Sequence, residues 1–437
     1  MFLDSLVSRA SSCIRQVAGG VRSQTVRFCR LFANRKVTLE RLIEGWSTLT
    51  RTAVTGRHVL AIQDTTQVHF KTEPGRRRKL GVIGRGNARG VMAHVMIAVD
   101  ASQGSLLGPV CGKIWTRRGL VRKPHELRGI SQKESGRWQE TAQSAKLILA
   151  AASMVTVIAD RESDIFNEWA SVPEKNFHLL TRANHDRSMP CGNKLSDAVN
   201  AMADQGLRTI KLPARAPNAP ERDIELRLRF GTVQLRRPHH TADAKGMPDR
   251  VTLTVVDVLE RNPRKGQKPV HWQLLTSHTV GTPEHAWQIV DWYRQRWVIE
   301  QLFRLMKSQG LDLGSSQLAD AERLMKLTAL VVHAATITLQ LVQSRSGKSK
   351  EPADIAFTAQ EIEALTEIEK PYNARTALQS NPHKHKSLAW ATWIISRLGG
   401  WDGYPSSAPP GPITMRNGLE RFKQITAGFT LKDVCIG

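Results

Sequence analysis

The sequence has few cysteines, no long apolar run and a shortage of acidic residues. Its five cysteines are odd in number and form no C-x-x-C pair. We therefore expect neither a disulfide framework nor a zinc site. No apolar run approaches the length of a membrane span. The N-terminus has no long apolar core before a cleavage site, so no signal peptide is predicted. We expect reduced thiols in a cytoplasmic protein.

The charge balance favours a polyanionic partner. The chain of 437 residues has 63 Lys and Arg against 39 Asp and Glu, a formal net charge of +24. This excess indicates nucleic acid first. An anionic membrane surface is the other candidate, but the sequence shows no basic amphipathic anchor for it. Hydrophobic residues make up 41% of the chain, enough for a real core, and the length predicts two or three structural units.

Hydrophobic periodicity predicts an α/β protein. "HVLAIQDTT" and "MVTVIADRESD" are apolar runs typical of buried strands, with Asp64 and Asp160 at their ends. Alternating polar and apolar residues predict a β-rich stretch farther along, while both ends of the chain have helical spacing. The predicted regions are a helical N-terminal region at 1–55, a core at 56–345 with the β-rich stretch at about 190–280, and a helical region at 350–437.

Three acids have the residue types of a two-metal site. Asp64 and Asp160 end predicted strands, and groups at strand ends collect at one edge of an α/β sheet; Glu300 would arrive from a helix. Carboxylates suit paired Mg²⁺ ions, which activate an attacking oxygen and stabilise the leaving oxygen of a phosphodiester. Taken singly, each acid has a plainer interpretation. A strand-end Asp is a common turn former, and Asp164 could cap the following helix.

The stretch "DWYRQRWVIEQLFRLMKSQG" from Asp291 is predicted to be one amphipathic helix. At about 100° per residue, a carboxylate shares an arc of roughly 60° with an aromatic and two cationic residues. These residues are Tyr293, Arg296, Glu300 and Lys307, bordered by Trp297 and Arg304. The alternative is a solvated face with ion pairs at i,i+4 spacing, and spacing alone favours it.

Three segments together resemble the insertion-sequence-four family of DDE transposases. Tyr293, Arg296, Glu300 and Lys307 have the spacing of the family's Y-R-E-K signature. "AIQDTT" around Asp64 is similar to the first catalytic segment, and "ADRESDI" is similar to the second, D-R-E-x-D. The three segments occur in the family's order, and the resemblance covers most of the chain.

The resemblance implies an RNase H-like fold: a mixed five-stranded sheet with flanking helices, a β-rich insertion before the last acid, and a helical C-terminal dimerisation region. It implies that Asp64, Asp160 and Glu300 bind two Mg²⁺ ions, which Mn²⁺ could replace. The implied reaction is DNA cleavage at transposon ends and joining of the freed 3′-OH to target DNA. The implied partners are double-stranded DNA, namely the terminal inverted repeats and the target, and a second copy of the chain in a synaptic complex. The implied location is the bacterial nucleoid.

The resemblance also implies roles for side chains around the acids. Tyr293, Arg296 and Lys307 match residues that hold DNA-end phosphates, a role suited to charge-assisted hydrogen bonds. Trp272 matches a tryptophan that stacks on a flipped base, and Trp297 either probes the gap left behind or packs in the core. Further expectations are DNA contacts from Arg182 and Arg304, and support of Asp160 by its sequence neighbours Arg161 and Glu162.

The chain departs from the resemblance at its start. Sixty-three residues precede Asp64, whereas relatives have several dozen more, including an element that reads the inverted repeat. This leaves two hypotheses: an active transposase, or a truncated non-catalytic inhibitor that acts by dimerisation. A general DNA-binding protein is a third, but it gives the three acids no role. A basic loop is expected to hold DNA non-specifically in each case; its residues are Arg76, Arg77, Arg78, Lys79, Arg85 and Arg89.

Overall fold

The computed structural model consists of two compact units. It describes residues 2–9, 11–71, 78–84, 87–117, 129–212, 221–238, 246–264, 266–308, 311–373, 380–404 and 406–434. The first unit comprises Met1–Val59, Asp64–Leu120 and Trp297–Gly437. The second comprises Leu60–Gln63 and Val121–Arg296. The predicted boundaries of the three regions are not tested by this division and stay a prediction.

Helices dominate both ends of the chain, and strands dominate the middle. The strands are β1 (His58–His69), β2 (Gly81–Val82), β3 (Arg89–Asp100), β4 (Leu106–Trp115), β5 (Met154–Ala159), β6 (Phe177–Arg182), β7 (Gly206–Leu212), β8 (Arg222–Arg236), β9 (Arg250–Glu260) and β10 (His271–Thr276). The helices are α1 (Phe2–Arg9), α2 (Ile14–Val17), α3 (Arg22–Ala33), α4 (Leu39–Glu44), α5 (Thr50–Ala53), α6 (Gly136–Ile148), α7 (Phe166–Ser171), α8 (Leu195–Ala201), α9 (Pro283–Arg294), α10 (Trp297–Lys307), α11 (Ala321–Ser344), α12 (Ala359–Asn373), α13 (Leu388–Leu398) and α14 (Pro412–Val434).

In the first unit, β3 and β4 form a β-hairpin. They pair antiparallel from Met92 opposite Trp115 to Val99 opposite Leu106, with two register shifts along the ladder. The turn between them contains Gly104 at a φ of 69°, a left-handed conformation that glycine adopts without a steric penalty. β3 also neighbours β2 and β1, so its sides are covered and its residues are buried almost throughout.

In the second unit, a parallel pair continues into an antiparallel series. β5 runs parallel to β6, with Ala159 opposite Thr181, and β10 pairs antiparallel with β6. The strand order from β1 is β1-β5-β6-β10-β9-β8-β7. Because the insertion joins the sheet through β10, this unit has seven strands in the described residues, including the shared β1. The five strands that the resemblance implies apart from the insertion are β1, β3, β4, β5 and β6.

The fold class is confirmed in its main features. The mixed sheet has parallel and antiparallel pairs, helices accompany it, the stretch between 190 and 280 is rich in strands, and the C-terminal region is helical. None of the four described cysteines, Cys13, Cys29, Cys111 and Cys191, forms a disulfide within the described residues. Cys435 lies outside the described residues.

Two local predictions are wrong. Asp64 does not end its strand, because β1 continues to His69 through residues whose burial alternates.

The stretch from Asp291 is not one helix, because α9 ends at Arg294 and α10 begins at Trp297. At the break, the amides of Gln295 and Arg296 donate to carbonyls three residues back, a tightened turn that interrupts the α-helical ladder. Angles calculated across this break therefore do not place Tyr293 and Glu300 on one helix face.

α11 is the central helix of the first unit. Contrary to the expectation from apolar runs, its 24 residues are long and apolar enough to cross a membrane by length and composition, but 67% of the most apolar stretch is buried inside the protein. Its backbone and side chains also bind other elements. Trp46 Nε1 donates to the Ala329 carbonyl at 2.9 Å, and Gln340 Nε2 donates to the Leu106 carbonyl at 3.2 Å. These contacts are those of a core helix.

Lys326 on α11 should be required for the stability of the first unit. Its side chain is 2% exposed, and its ammonium group donates to the carbonyls of Phe32 and Asn34 at 3.3 and 3.4 Å. Lys326→Met leaves these carbonyls without that donor, so we expect the free energy of unfolding to fall by about 1–3 kcal/mol. Chemical denaturation measures the change.

The matched control is Lys370→Met. Lys370 forms an ion pair with Glu367 on the surface of α12, where its side chain is 66% exposed. We expect this variant to unfold within about 0.5 kcal/mol of the wild type. Equal losses in the two variants would contradict the role given to Lys326.

Candidate active site

Asp160 lies where the sequence predicts, immediately after β5. It occupies the N-cap position of a short 3₁₀ helix, Arg161–Ser163, and the Ser163 amide donates to its carbonyl at 3.0 Å. Because β5 and β6 run parallel, the carboxyl end of β6 at Arg182 lies at the same edge of the sheet. The strand-end interpretation of Asp160 is consistent with this placement.

The hydroxyl of Tyr293 on α9 donates a hydrogen bond to Oδ1 of Asp160 at 3.1 Å. The tyrosine is 5% exposed. Burial raises its pKa, and the negative charge of Asp160 adds to the rise. The phenol therefore stays protonated at neutral pH and acts as a donor. Two residues 133 positions apart in the sequence meet here, so the contact fixes the carboxylate in one orientation.

Three further predicted residues surround this hydrogen bond. Trp272 on β10 meets the Tyr293 ring edge-on, with ring centroids 6.0 Å apart, and the guanidinium of Arg296 lies 5.9 Å from the same ring centroid. Burial lowers the pKa of Arg182, while Tyr293 and Asp160 act in the opposite direction. We call the set the Asp160 cluster: Asp160, Arg182, Trp272, Tyr293 and Arg296. All five belong to the second unit.

Asp64 belongs to the first unit and lies within β1. Its Oδ1 accepts a hydrogen bond from the Thr65 amide at 2.7 Å. Thr65 Oγ1 in turn lies 2.9 Å from Nδ1 of His94, a fully buried residue of β3. The strand around Asp64 is thus held by side-chain contacts as well as by the sheet.

The remaining residues of the Y-R-E-K spacing lie on α10, also in the first unit. Glu300 is half-buried in the first turn, and Lys307 ends the helix. Desolvation lowers the pKa of Lys307, and the negative charge of Asp64 opposes this shift, so the two side chains interact electrostatically. Arg304 is exposed and Trp297 is half-buried, and their DNA contacts stay a prediction.

The donor atoms of the site are oxygens that suit a hard divalent cation. Within the described residues, Tyr293 donates a hydrogen bond to Oδ1 of the Asp160 carboxylate. Among those residues, no three His, Cys, Asp or Glu side chains form a group of metal-binding size. Metal binding by Asp64, Asp160 and Glu300 therefore stays a prediction. Their oxygen donors are of the type that such an ion prefers.

Asp164 has a role other than the helix cap considered from the sequence. It is 4% exposed and accepts hydrogen bonds from the amides of Asn184 and His185 at 2.8 and 3.1 Å. Arg187 Nε donates to its other oxygen at 2.8 Å. Asp164 thus anchors the loop after β6, while α7 has Ile165 at its N-cap. The D-R-E-x-D spacing contains this residue but does not indicate its partners.

The neighbours of Asp160 differ in their contacts. The guanidinium of Arg137 at the start of α6 forms an ion pair with Glu162 at 2.6 Å, which ties the 3₁₀ helix to α6. Arg161 is exposed, and the electrostatic environment of Arg182 includes its charge. Support of Asp160 by both residues stays a prediction.

Glu168 on α7 is a buried acid that the sequence analysis missed. It is fully buried and accepts hydrogen bonds from Gln63 Nε2 at 3.2 Å and from Ser163 Oγ at 2.6 Å. Burial raises the pKa of Glu168 to about 8, and the charge of Asp164 adds to this rise. No spacing rule distinguishes this acid from a surface acid of an amphipathic helix.

The basic loop is only partly available for DNA. Arg78 is 5% exposed and donates to the carbonyl of Ser316 and to Gln317 Oε1, both at 2.7 Å. Its expected DNA contact is wrong, because the guanidinium is used inside the first unit. Lys79 is exposed, and Arg89 donates to the Leu80 carbonyl. Arg76, Arg77 and Arg85 lie outside the described residues.

Part of the chain matches a known family of protein domains. Residues 139–337 match the family model described as "Transposase DDE domain". This match supports a transposase. The matched segment covers less than half of the chain and contains Asp160, the whole Asp160 cluster and Glu300, whereas Asp64 precedes it. Domains of this family typically use divalent metal ions and imply nuclease or strand-transferase activity in general.

One solved structure is similar over much of the chain. It is described as the cryo-EM structure of a piggyBac transposase synaptic complex with hairpin DNA, and it shares 9% sequence identity with a TM-score of 0.36. The alignment covers 85% of this chain and 59% of that one. The chain thus spans little more than half the length of that transposase, and the match to the DDE domain is the stronger finding.

The raised pKa of Glu168 predicts a pH-dependent stability. The folded protein holds a proton on Glu168 up to about pH 8, whereas the unfolded chain releases it near pH 4.5. The stabilisation by protonated Glu168 is therefore fully present below the pKa of the unfolded chain. It is lost as the pH rises towards the pKa of the folded protein. Relative to Glu168→Gln, the wild type should lose up to about 1.4 kcal/mol of unfolding free energy per pH unit between about pH 5 and pH 8.

Denaturation of both proteins across this pH range measures the difference. Glu363→Gln, at an exposed position of α12, is the control and should follow the pH trend of the wild type. A wild type and a Glu168→Gln variant with parallel pH trends would show that Glu168 is ionised in the folded protein.

Proposed function

We propose that the protein is a transposase of the insertion-sequence-four type that cuts DNA at transposon ends and joins them to target DNA. The observation that supports this most is the hydrogen bond from Tyr293 to Asp160. It brings the first residue of the Y-R-E-K spacing to the acid of the D-R-E-x-D segment. Both residues lie in the part of the chain that matches a transposase DDE domain.

Asp64, Asp160 and Glu300 are the proposed ligands of two Mg²⁺ ions, which Mn²⁺ could replace. Such ions activate an attacking oxygen and stabilise the leaving oxygen of a phosphodiester. The protein contributes three carboxylates from β1, the end of β5 and α10. Its own part is to orient these carboxylates, which the Tyr293 hydroxyl does for Asp160 and the Thr65 amide does for Asp64.

The basic and aromatic residues around the acids are proposed to bind the DNA ends. Arg182, Arg296 and Lys307 carry charges beside the two aspartates, where they can bind phosphates next to the cut. Trp272 is half-exposed and packs edge-on against the Tyr293 ring. It therefore offers an aromatic surface on which an unpaired base can stack. Arg304 and Trp297, on the accessible part of α10, are proposed to extend this contact.

Transposition requires two ends held together, so the proposal includes a homodimer in a synaptic complex with the inverted repeats and the target. The helices α12, α13 and α14 are the proposed dimerisation region. A location at the bacterial nucleoid stays a prediction.

Glu300→Gln tests the proposed chemistry. The substitution keeps the shape of the side chain and the α10 helix but removes a negative ligand. We expect it to abolish Mg²⁺-dependent cleavage of DNA that contains the element's ends while leaving the affinity for that DNA within about threefold, because phosphate contacts dominate affinity. Gel assays of cleavage and binding on the same substrate measure both quantities.

Two controls decide the outcome. Asp160→Ala should also fail to cut, and Glu221→Gln, at an exposed position before β8, should cut like the wild type. If Glu300→Gln cuts normally, the metal assignment is wrong. If the wild type does not cut but forms dimers, the inhibitor hypothesis gains support over the enzyme.

Lys307→Ala tests the proposed phosphate contact separately. Loss of one phosphate contact should weaken DNA-end binding and reduce the slope of log affinity against log salt concentration by about 1. Lys211→Ala, which removes a surface charge of β7, is the control. An unchanged slope in Lys307→Ala would place Lys307 away from the DNA.

A further inference from the structure

Glu168 makes contacts with both aspartate-bearing segments. It lies on α7, and each of its carboxyl oxygens has a separate partner. Oε1 accepts from Gln63 Nε2 at 3.2 Å, and Oε2 accepts from Ser163 Oγ at 2.6 Å. Gln63 is the residue before Asp64, and Ser163 ends the 3₁₀ helix that begins after Asp160. One buried side chain thus connects the two strand segments that carry the first two acids.

The three partners lie in a dry environment. Glu168 and Gln63 are fully buried, and Ser163 is 1% exposed. Hydrogen bonds in such surroundings fix geometry strictly, since a buried polar group that loses its partner carries a desolvation cost. Gln63 cannot move without leaving Glu168 short of a donor, and the same holds for Ser163. The backbone leading into Asp64 and the turn after Asp160 are therefore both held by α7.

We propose that Glu168 is a positioning residue of the transposase, which sets the metal-binding geometry of Asp64 and Asp160 through Gln63 and Ser163. This inference rests on the proposed function, since it assumes that the two aspartates are metal ligands. Glu168 itself touches no metal, DNA or reacting atom. Groups that orient metal ligands typically change metal affinity or activity by about 10-fold to 100-fold when they are removed.

The choice of substitutions follows from the hydrogen bonds. Glu168→Gln keeps the length of the side chain, can accept from Gln63 with its oxygen and can donate to Ser163 with its amide. Glu168→Leu fills a similar volume and makes neither hydrogen bond. Ser163→Ala removes one of the two links and leaves Glu168 in place. If Glu168 is a positioning residue, the Glu168→Gln variant should therefore retain its role and the Glu168→Leu variant should lose it.

The test measures Mn²⁺ binding by calorimetry without DNA, together with the thermal midpoint of each protein and cleavage of end-containing DNA. We expect Glu168→Leu to weaken Mn²⁺ binding by about 10-fold or more, Glu168→Gln to stay within about threefold of the wild type, and Ser163→Ala to fall between them. All measurements are made well below the lowest thermal midpoint, so that each variant is folded. The double variant Glu168→Leu, Ser163→Ala should bind Mn²⁺ no more weakly than Glu168→Leu alone, because both changes break the same link.

The outcomes separate the two proposals. A Glu168→Leu variant with a lower midpoint but the Mn²⁺ affinity and cleavage rate of the wild type would overturn the positioning role and leave Glu168 a core residue. A Glu168→Gln variant as weak as Glu168→Leu would overturn its hydrogen-bonding basis. A wild type that binds Mn²⁺ through Asp160 but never cuts DNA would overturn the proposed function while the positioning role stands. A wild type that binds no Mn²⁺ would overturn both.

Discussion

The hydrogen bond between Tyr293 and Asp160 is the contact on which the candidate site depends. Asp160 ends β5, where the edge of the sheet would leave its carboxylate free to rotate. The phenol of Tyr293 is held protonated by burial and removes this freedom by donating to Oδ1. Arg182, Trp272 and Arg296 then lie around a carboxylate of fixed orientation. The proposed function assigns these cationic and aromatic side chains to a phosphodiester beside an unpaired base.

A second layer of polar contacts lies beneath this surface. Asp164 is bound by two amides and by Arg187 and so fixes the loop after β6, while Glu168 binds Gln63 and Ser163. These acids occupy the same short segment as Asp160, yet they are buried and act on the scaffold. The segment thus combines the half-buried Asp160 with two buried acids that hold the surrounding backbone in place.

Sequence periodicity predicted part of this arrangement and failed for physical reasons elsewhere. The apolar run before Asp160 ends with the strand, so its position could be predicted. Asp64 lies inside β1 because the alternation after it continues the strand, which an apolar run alone does not show. The break before Trp297 involves neither Gly nor Pro; it depends on a tightened turn that ordinary residues adopt. The burial of Glu168 depends on Gln63, 105 residues away, and no local pattern contains that information.

The central proposal is that Asp64, Asp160 and Glu300 bind the same metal ions. Replacing Mg²⁺ with Fe²⁺ and generating hydroxyl radicals at the bound ion cuts the nearby backbone, and mass spectrometry of the fragments locates the cuts. The account predicts cuts at three separated places, around residues 64, 160 and 300, all suppressed by excess Mg²⁺ and lost in Asp160→Ala. Cuts confined to one of these segments, or unaffected by Asp160→Ala, would contradict it.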